Sequence, residues 1–317
     1  MTIWEKLQAV DRRILYLILA VCVSAGLFIT IEIPTDPDPS SRDLYQAIMD
    51  IPEGKTVIIQ SDWTNSTRGE SMGHFENLLR LLMSRNLKFV FYSAADPIAP
   101  QVARTTLARI IKERKDEGLY EYQIGEDYID LGYFANAEAT NLNMGIDLRN
   151  AWSGKRTKKA GAGEISIWES PVLKDVRKIE DAGMMIVVTA SASIDVAVQR
   201  LNKKVSIGAM VTGVVGPTVL PFYQAKQVNG VAVGLKGVYD LEYCMANGVN
   251  LKDEDGNIKV LNKGGKEYPK ITEGKTLARG SKYYGTLHIA LILLILAVVL
   301  GNVGMAMSRK KPGAKRS

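Results

Sequence analysis

The chain has 317 residues, 46% of them hydrophobic, with 40 Lys and Arg against 34 Asp and Glu, two Cys and two His. That length allows a large buried core, and so few Cys and His exclude a disulfide framework or a zinc cluster as the source of stability. Most of the net charge of +6 is local: five basic and no acidic residues follow Met307, so the surplus points to a tail at a membrane surface ahead of a nucleic-acid arm, and no nucleic-acid partner is expected.

Residues 1–13 carry Lys6, Arg12 and Arg13 and are expected to form a cytoplasmic N-terminus. Residues 14–33 are expected to be the first transmembrane helix, because residues 14–31 contain no charged side chain and 18 apolar residues can cross a bilayer. Val23-Ser24-Ala25 offers the alternative of a cleaved signal peptide, and Leu19-Ala20-Val21-Cys22 that of a lipoprotein box with Val21 where a small residue is wanted. The apolar run continues past both sites, which favours an uncleaved anchor. Glu32, Asp36 and Asp38 then lie on the outer side, with Trp4 at the inner interface and Tyr283 and Tyr284 at the outer one.

Residues 34–54 read as a proline-rich linker, extended over 34–40, and a short helix over 43–50 capped by Ser40 or Ser41. Residues 55–248 read as the extracytoplasmic α/β domain. Strands are expected at 56–60, 87–92, 120–124 with 128–131, 184–189 and 205–211. Helices are expected at 74–84, 100–114, 137–151, 171–181, 194–201 with Ser193 as its cap, 217–224, and within 231–246. A basic loop occupies 153–163, with Gly161 and Gly163 as a hinge. Residues 249–284 read as an appendage, where Asp255-Gly256 marks a hairpin turn. The second transmembrane helix is expected at 285–307 and a basic cytoplasmic tail at 308–317.

The alternation of strands and helices predicts an α/β fold: a mostly parallel, doubly wound (Rossmann-like) sheet between two transmembrane helices. The strands are continuous apolar runs, as expected when helices cover both faces. The whole places the chain in the cytoplasmic (inner) membrane as a two-pass protein, both termini cytoplasmic and the main domain extracytoplasmic.

In such sheets ligands sit beyond the carboxyl ends of the strands. Those ends supply the candidates Asp62, Thr64, Asn65 and Ser66; Ser93 and Asp96; Thr189, Ser191 and Ser193; and Thr212, Gly213 and Gly216. They are short and polar with few titratable groups, which suits recognition of a small molecule by hydrogen bonds better than acid–base catalysis. The same residue types serve as helix caps and turn formers in any doubly wound domain.

Gly69-Glu70-Ser71-Met72-Gly73 matches the nucleophile-elbow pattern, but a polar loop separates it from the preceding strand and neither His74 nor His288 suits a base arriving from a later loop. Its bland reading is a helix entry capped by Ser71. A hard-cation site from Asp62, Asp96 and Asp195 is a further alternative. Gly213 to Gly216 opens a helix after a strand, where tight backbone packing is favoured over phosphate binding. No cofactor or metal is expected. The basic stretch Lys155, Arg156, Lys158 and Lys159 reads as a solvated loop, with lipid headgroups or an acidic partner as alternatives. Ala20 and Ser24 in the first span, and Ala297, Gly301 and Gly304 in the second, are spaced to let membrane helices approach closely.

The run Gly216-Pro217-Thr218-Val219-Leu220-Pro221-Phe222-Tyr223, then Gly230, then Gly234 to Gly237 and on to Glu242-Tyr243, with Gly125 to Tyr128 and Gly132-Tyr133 upstream, resembles a pattern in prokaryotic two-pass membrane proteins with no assigned activity. The layout is also similar to auxiliary subunits of gliding-type ABC transporters, by architecture alone. Neither likeness brings a known activity; the two anchors, the small-residue span faces and the lack of a credible catalytic set lead to the expectation of a non-enzymatic subunit of a membrane complex. Its partners would be membrane lipid and other subunits or further copies. A tethered solute-binding or sensory domain is the alternative, and a serine hydrolase around Ser71 a more distant one. Gly234 and Gly237 are expected to pack closely on a strand or another chain.

Overall fold

In this computed structural model, residues 12–28, 35–159, 161, 163–252, 258–260, 271 and 279–309 are described. The chain divides into two compact units, one of residues 1–35 with 281–317 and one of residues 36–280.

The larger unit holds a six-stranded, wholly parallel sheet built from β1 (Thr56–Asp62), β2 (Lys88–Ser93), β3 (Tyr128–Tyr133), β6 (Met184–Thr189), β7 (Ile207–Val211) and β8 (Gly230–Val233). Its order is β3-β2-β1-β6-β7-β8. Numbered along the chain, that is 3-2-1-4-5-6, the doubly wound arrangement in which connections diverge to opposite faces between the first and fourth strands. β1 is buried along its whole length, and its side chains alternate between two cores. Val57 and Ile59 point into one, and Ile58 into the other.

The first core is covered by α2 (Pro39–Met49), α3 (Arg68–Ser84), α4 (Ala99–Asp116) and α9 (Gly234–Asn247). The second is covered by α5 (Ala137–Ile146), α6 (Leu148–Ala151), α7 (Ser193–Leu201) and α8 (Gly216–Gln224). Two antiparallel hairpins are added: β4 (Arg156–Lys159) with β5 (Gly163–Ser166), and β9 (Asn250–Lys252) with β10 (Ile258–Val260).

The approach of α2 to the sheet explains two glycines. Gly208 and Gly230 are register partners on β7 and β8. A Cβ on Gly230 would stand 2.2 Å from the backbone nitrogen of Leu44, and one on Gly208 would stand 2.6 Å from the Leu44 side chain. Only bare backbone lets this helix lie so low. Gly237 has the same role for α9, because its Cβ would fall 2.6 Å from the backbone of Ala232 on β8. The expected close packing is thus against a strand. Gly234 stands at the helix start, with φ +57°.

Several expectations are corrected. Residues 230–233 form the edge strand β8, absent from the expected strands, while the helix expected within 231–246 is present from Gly234. α2 starts at Pro39, inside the stretch expected to be extended, with Asp38 as its cap residue. Residues 171–178 form turns, followed by a 3₁₀ turn at Ile179–Asp181, instead of one helix. Thr56 Oγ1 and Lys88 Nζ take the carbonyls of Val172 and Pro171, at 2.5 and 3.2 Å, which a helix would have used internally. Residues 120–124 contribute only an isolated bridge, Ile124 to Tyr128. The basic loop is the β4–β5 hairpin, with Gly161 and Gly163 in its turn region at positive φ. Ala192, not Ser193, holds the cap position of α7. The Asp255-Gly256 turn lies outside the described residues, although the strands flanking it pair as a hairpin requires.

The smaller unit contains α1 (Arg12–Phe28, 17 residues) and α10 (Arg279–Arg309, 31 residues), the latter starting in the last residues of the larger unit. At about 1.5 Å per residue α10 is ~46 Å long and exceeds a hydrocarbon core of about 30 Å, while α1 reaches ~26 Å. Among the described residues, α10 alone is long and apolar enough to cross a membrane. Residues 29–33 of the expected first span lie outside the described residues, so two spans are not shown.

Within this unit a Cβ on Gly26 would meet Ile289 Cδ1 at 2.9 Å and Thr286 Oγ1 at 3.2 Å. Leu19, Cys22, Val23 and Gly26 form the sheltered face of α1, at spacings of three and four. Ala20, Ser24 and Ala297 are exposed, and a Cβ on Gly301 would meet nothing within 4 Å. Of the five residues expected at the helix contact, only Gly304 is buried.

Candidate functional site

The carboxyl ends of β1 and β6 meet where the connections diverge, with Asp62 and Thr189 as register partners. Asp62 is only 4% exposed, and its carboxylate is saturated. Oδ1 accepts from Ser93 Oγ at 2.8 Å and from the backbone N–H groups of Ala94 and Ala95 at 2.9 and 3.2 Å. Oδ2 accepts from Gln60 Nε2 at 2.5 Å. The loop leaving β2 is therefore folded around Asp62.

The network continues inward. Gln60 Oε1 lies 3.1 Å from the Tyr92 hydroxyl and 3.3 Å from Asn141 Nδ2, and all three side chains are fully buried. Burial, reinforced by the Asp62 charge, holds the Tyr92 phenol well above its usual range. A polar Gln two positions from an Asp in an otherwise apolar strand was the available sequence signal for this chain of contacts. Tyr92 and Asn141 gave none.

On the β6 side the Thr189 hydroxyl is shared among the Asp62 carbonyl (3.3 Å), Ser191 Oγ (3.1 Å) and Ser193 Oγ (3.0 Å). Asp96 Oδ1 accepts from Ile98 N at 2.7 Å, a turn-forming bond at the entry to α4. Thr64 Oγ1 pairs with Ser66 Oγ at 2.8 Å, while Asn65 and Ser66 are exposed. Thus Asp62, Ser93, Thr189 and Ser193 come together as a closed structural network, and Thr64, Asn65, Ser66 and Ser191 remain at the surface of the crevice.

Three N–H groups of the glycine-bearing turn after β7 are committed. Gly213 N donates to Glu70 Oε2 at 2.7 Å, Val215 N and Gly216 N donate to the Thr212 carbonyl at 3.0 and 3.1 Å, and Pro217 has none. A Cβ on Gly216 would stand 2.4 Å from Val233 Cγ1, so this glycine serves packing, as expected.

Ser71 lies in the first turns of α3, not on a turn directly after a strand, and is 1% exposed; the cap position of that helix is Thr67 and not Ser71. His74 is wholly buried, and no hydrogen bond joins it to Ser71. Burial lowers its imidazole to about 4. The backbone of Val211 and Gly234 lies close enough to oppose that shift, yet neither ring nitrogen has a partner in hydrogen-bonding geometry. Asp195 Oδ1 is also without a partner, and desolvation raises that carboxyl. Among the described residues no three His, Cys, Asp or Glu side chains come together as a metal site.

Around the crevice the exposed side chains include Ile98 (60%) after β2 and Val214 (88%) after β7, with Tyr133 at the end of β3. Strand order and crevice together define a doubly wound, Rossmann-like α/β domain. No family model, no curated protein and no solved structure matches the chain.

Proposed function

We propose that this chain is a non-enzymatic, two-pass membrane subunit whose extracytoplasmic α/β domain holds a membrane complex together through its carboxyl edge. The observation that supports this reading is the commitment of Asp62, Ser93, Thr189 and Ser193 at that edge to the protein's own hydrogen bonds, with Asp195 Oδ1 left as its one unpartnered buried carboxylate oxygen among the described residues. A catalytic site needs titratable groups free to exchange protons with a substrate. Here Asp62, Thr189 and Ser93 are spent on structure, while Ile98 and Val214 face solvent.

The basic flanks at Lys6 to Arg13 and Arg309 to Arg316 support cytoplasmic termini on either side of an outward domain. α10 supports the second anchor, and the close Gly26 contact supports α1 as its partner. The strand order also favours a second reading, a tethered small-molecule receptor using Thr64, Asn65, Ser66 and Ser191.

Substituting Ile98→Asp together with Val214→Asp tests the first reading. Both side chains are solvent-exposed, so far-UV circular dichroism should be unchanged. The complex formed by the full chain in mild detergent should shift to smaller particles in native electrophoresis. Particles of unchanged size would argue against the carboxyl edge as the contact.

A further inference from the structure

At the opposite, amino end of the sheet, a cleft of about 740 Å³ lies between α4, the start of β3 and the β4–β5 hairpin. That volume falls in the ~300–1,000 Å³ range of small-molecule sites. We propose that this cleft binds a small amphipathic organic anion, one with a flat or acyl apolar body and a carboxylate, sulfonate or phosphate head.

The floor is apolar and rigid. Tyr122 and Tyr128 both stack on Phe89, with ring centroids 6.0 and 5.7 Å apart. The Tyr122 hydroxyl is tied to the Leu87 carbonyl at 3.1 Å, leaving ring faces rather than a polar tip. Ile111 and Ile124 extend this surface. The walls are basic, with four lysines against two carboxylates in the lining. Lys115 is paired with Glu121 at 2.8 Å and Lys159 with Glu126 at 3.2 Å. Among the described residues Lys112 on α4 and Lys158 on β4 form no ion pair, and neither does Asp116, so the lining carries two unpaired lysines against one unpaired carboxylate around the apolar floor.

This arrangement is built, not incidental. Gly125, at φ +81°, brings the 123–127 turn against β4, and a Cβ there would lie 2.1 Å from the Lys158 carbonyl. Ser170 Oγ holds the Gly125 carbonyl at 2.7 Å. The hairpin is thereby fixed as one wall. Charge selects an anion and the stacked rings select an apolar body; an inorganic anion alone would gain nothing from the floor, and an organic cation would meet the lysines.

The test is saturation-transfer NMR on the full chain in lipid nanodiscs, with empty nanodiscs as the reference for lipid partitioning. The probe is 2-naphthalenesulfonate. Sulfate alone supplies the head without the body, and 2-naphthylmethylammonium supplies the body with the opposite charge. The proposal expects saturable transfer to the sulfonate only, and an affinity weakened about tenfold or more by Lys112→Gln with Lys158→Gln. Lys112→Gln alone, which leaves the hairpin untouched, should weaken it in the same direction at unchanged melting temperature. Absence of saturable binding, equal binding of the naphthyl cation, or an affinity unmoved by both substitutions would overturn it.

Discussion

Asp62→Ala should destabilise the α/β domain by about 4 kcal/mol, measured by urea unfolding of the full chain in detergent with the buried Trp63 and Trp152 as reporters. The carboxylate receives four donors: the Ser93 hydroxyl, two backbone N–H groups and the Gln60 amide. Removing it leaves buried donors without acceptors, which is costlier than never having built the network, since each stranded group carries its own desolvation penalty of about 1–3 kcal/mol. Asp62→Asn keeps the shape and one acceptor oxygen but turns an NH₂ toward groups that also donate, so about half the loss should remain. A carboxylate kept for a ligand or metal would behave oppositely. Its removal would leave stability unchanged or raise it, and that outcome would return Asp62 to the list of binding residues.

The second large effect is an acid-side loss of stability caused by His74. In the folded chain burial holds this imidazole at about 4, against about 6.5 when unfolded. The unfolded chain therefore takes up the proton first as pH falls. The contribution is complete above pH ~6.5 and declines by up to about 1.4 kcal/mol per pH unit toward pH 4, some 3 kcal/mol in all; below that both states are protonated and the loss levels off. Glu76 and Asp240, whose carboxyls burial raises, act in the other direction, because protonation relieves a buried charge.

His74→Leu separates these contributions. It replaces two unpartnered ring nitrogens by an apolar side chain, so at pH 7.5 it should lie within about 1 kcal/mol of the parent. Between pH 7 and 4 the parent should lose about 3 kcal/mol relative to the variant. Parallel pH profiles for the two proteins would show that His74 gains a partner that keeps its imidazole near the ordinary range.

The parts of the fold that were legible are those where composition alone sets the conformation. The buried strands β1, β2, β6 and β7 are β-branched or apolar runs closed by polar turns, and they stand out. β8 did not, because Gly230 to Val233 is short and runs without a break in apolarity into α9. The boundary is set by Gly234 at positive φ, and its reason for being glycine is the neighbouring Gly213 backbone, 3.3 Å from its would-be Cβ. That is a tertiary contact, invisible along the chain.

Residues 171–181 failed for the complementary reason. Val172, Leu173, Val176 and Ile179 are all buried, so their spacing did report a face. Competition for the carbonyls by Thr56 and Lys88 then decided the conformation. At the carboxyl edge the strand-end residues were located, but whether each served a ligand or the protein depended on where the β2–α4 loop folds. Only the geometry around Asp62 resolves that.

On the proposed function, this chain works inside a membrane assembly. The most direct measurement is the mass of the full-length protein extracted into native nanodiscs and weighed as single particles. The account predicts particles holding more than one polypeptide, either copies of this chain or a fixed ratio with another subunit, and their return to single chains when Ile98 and Val214 carry aspartate. Uniform particles of one chain at every protein concentration would contradict it.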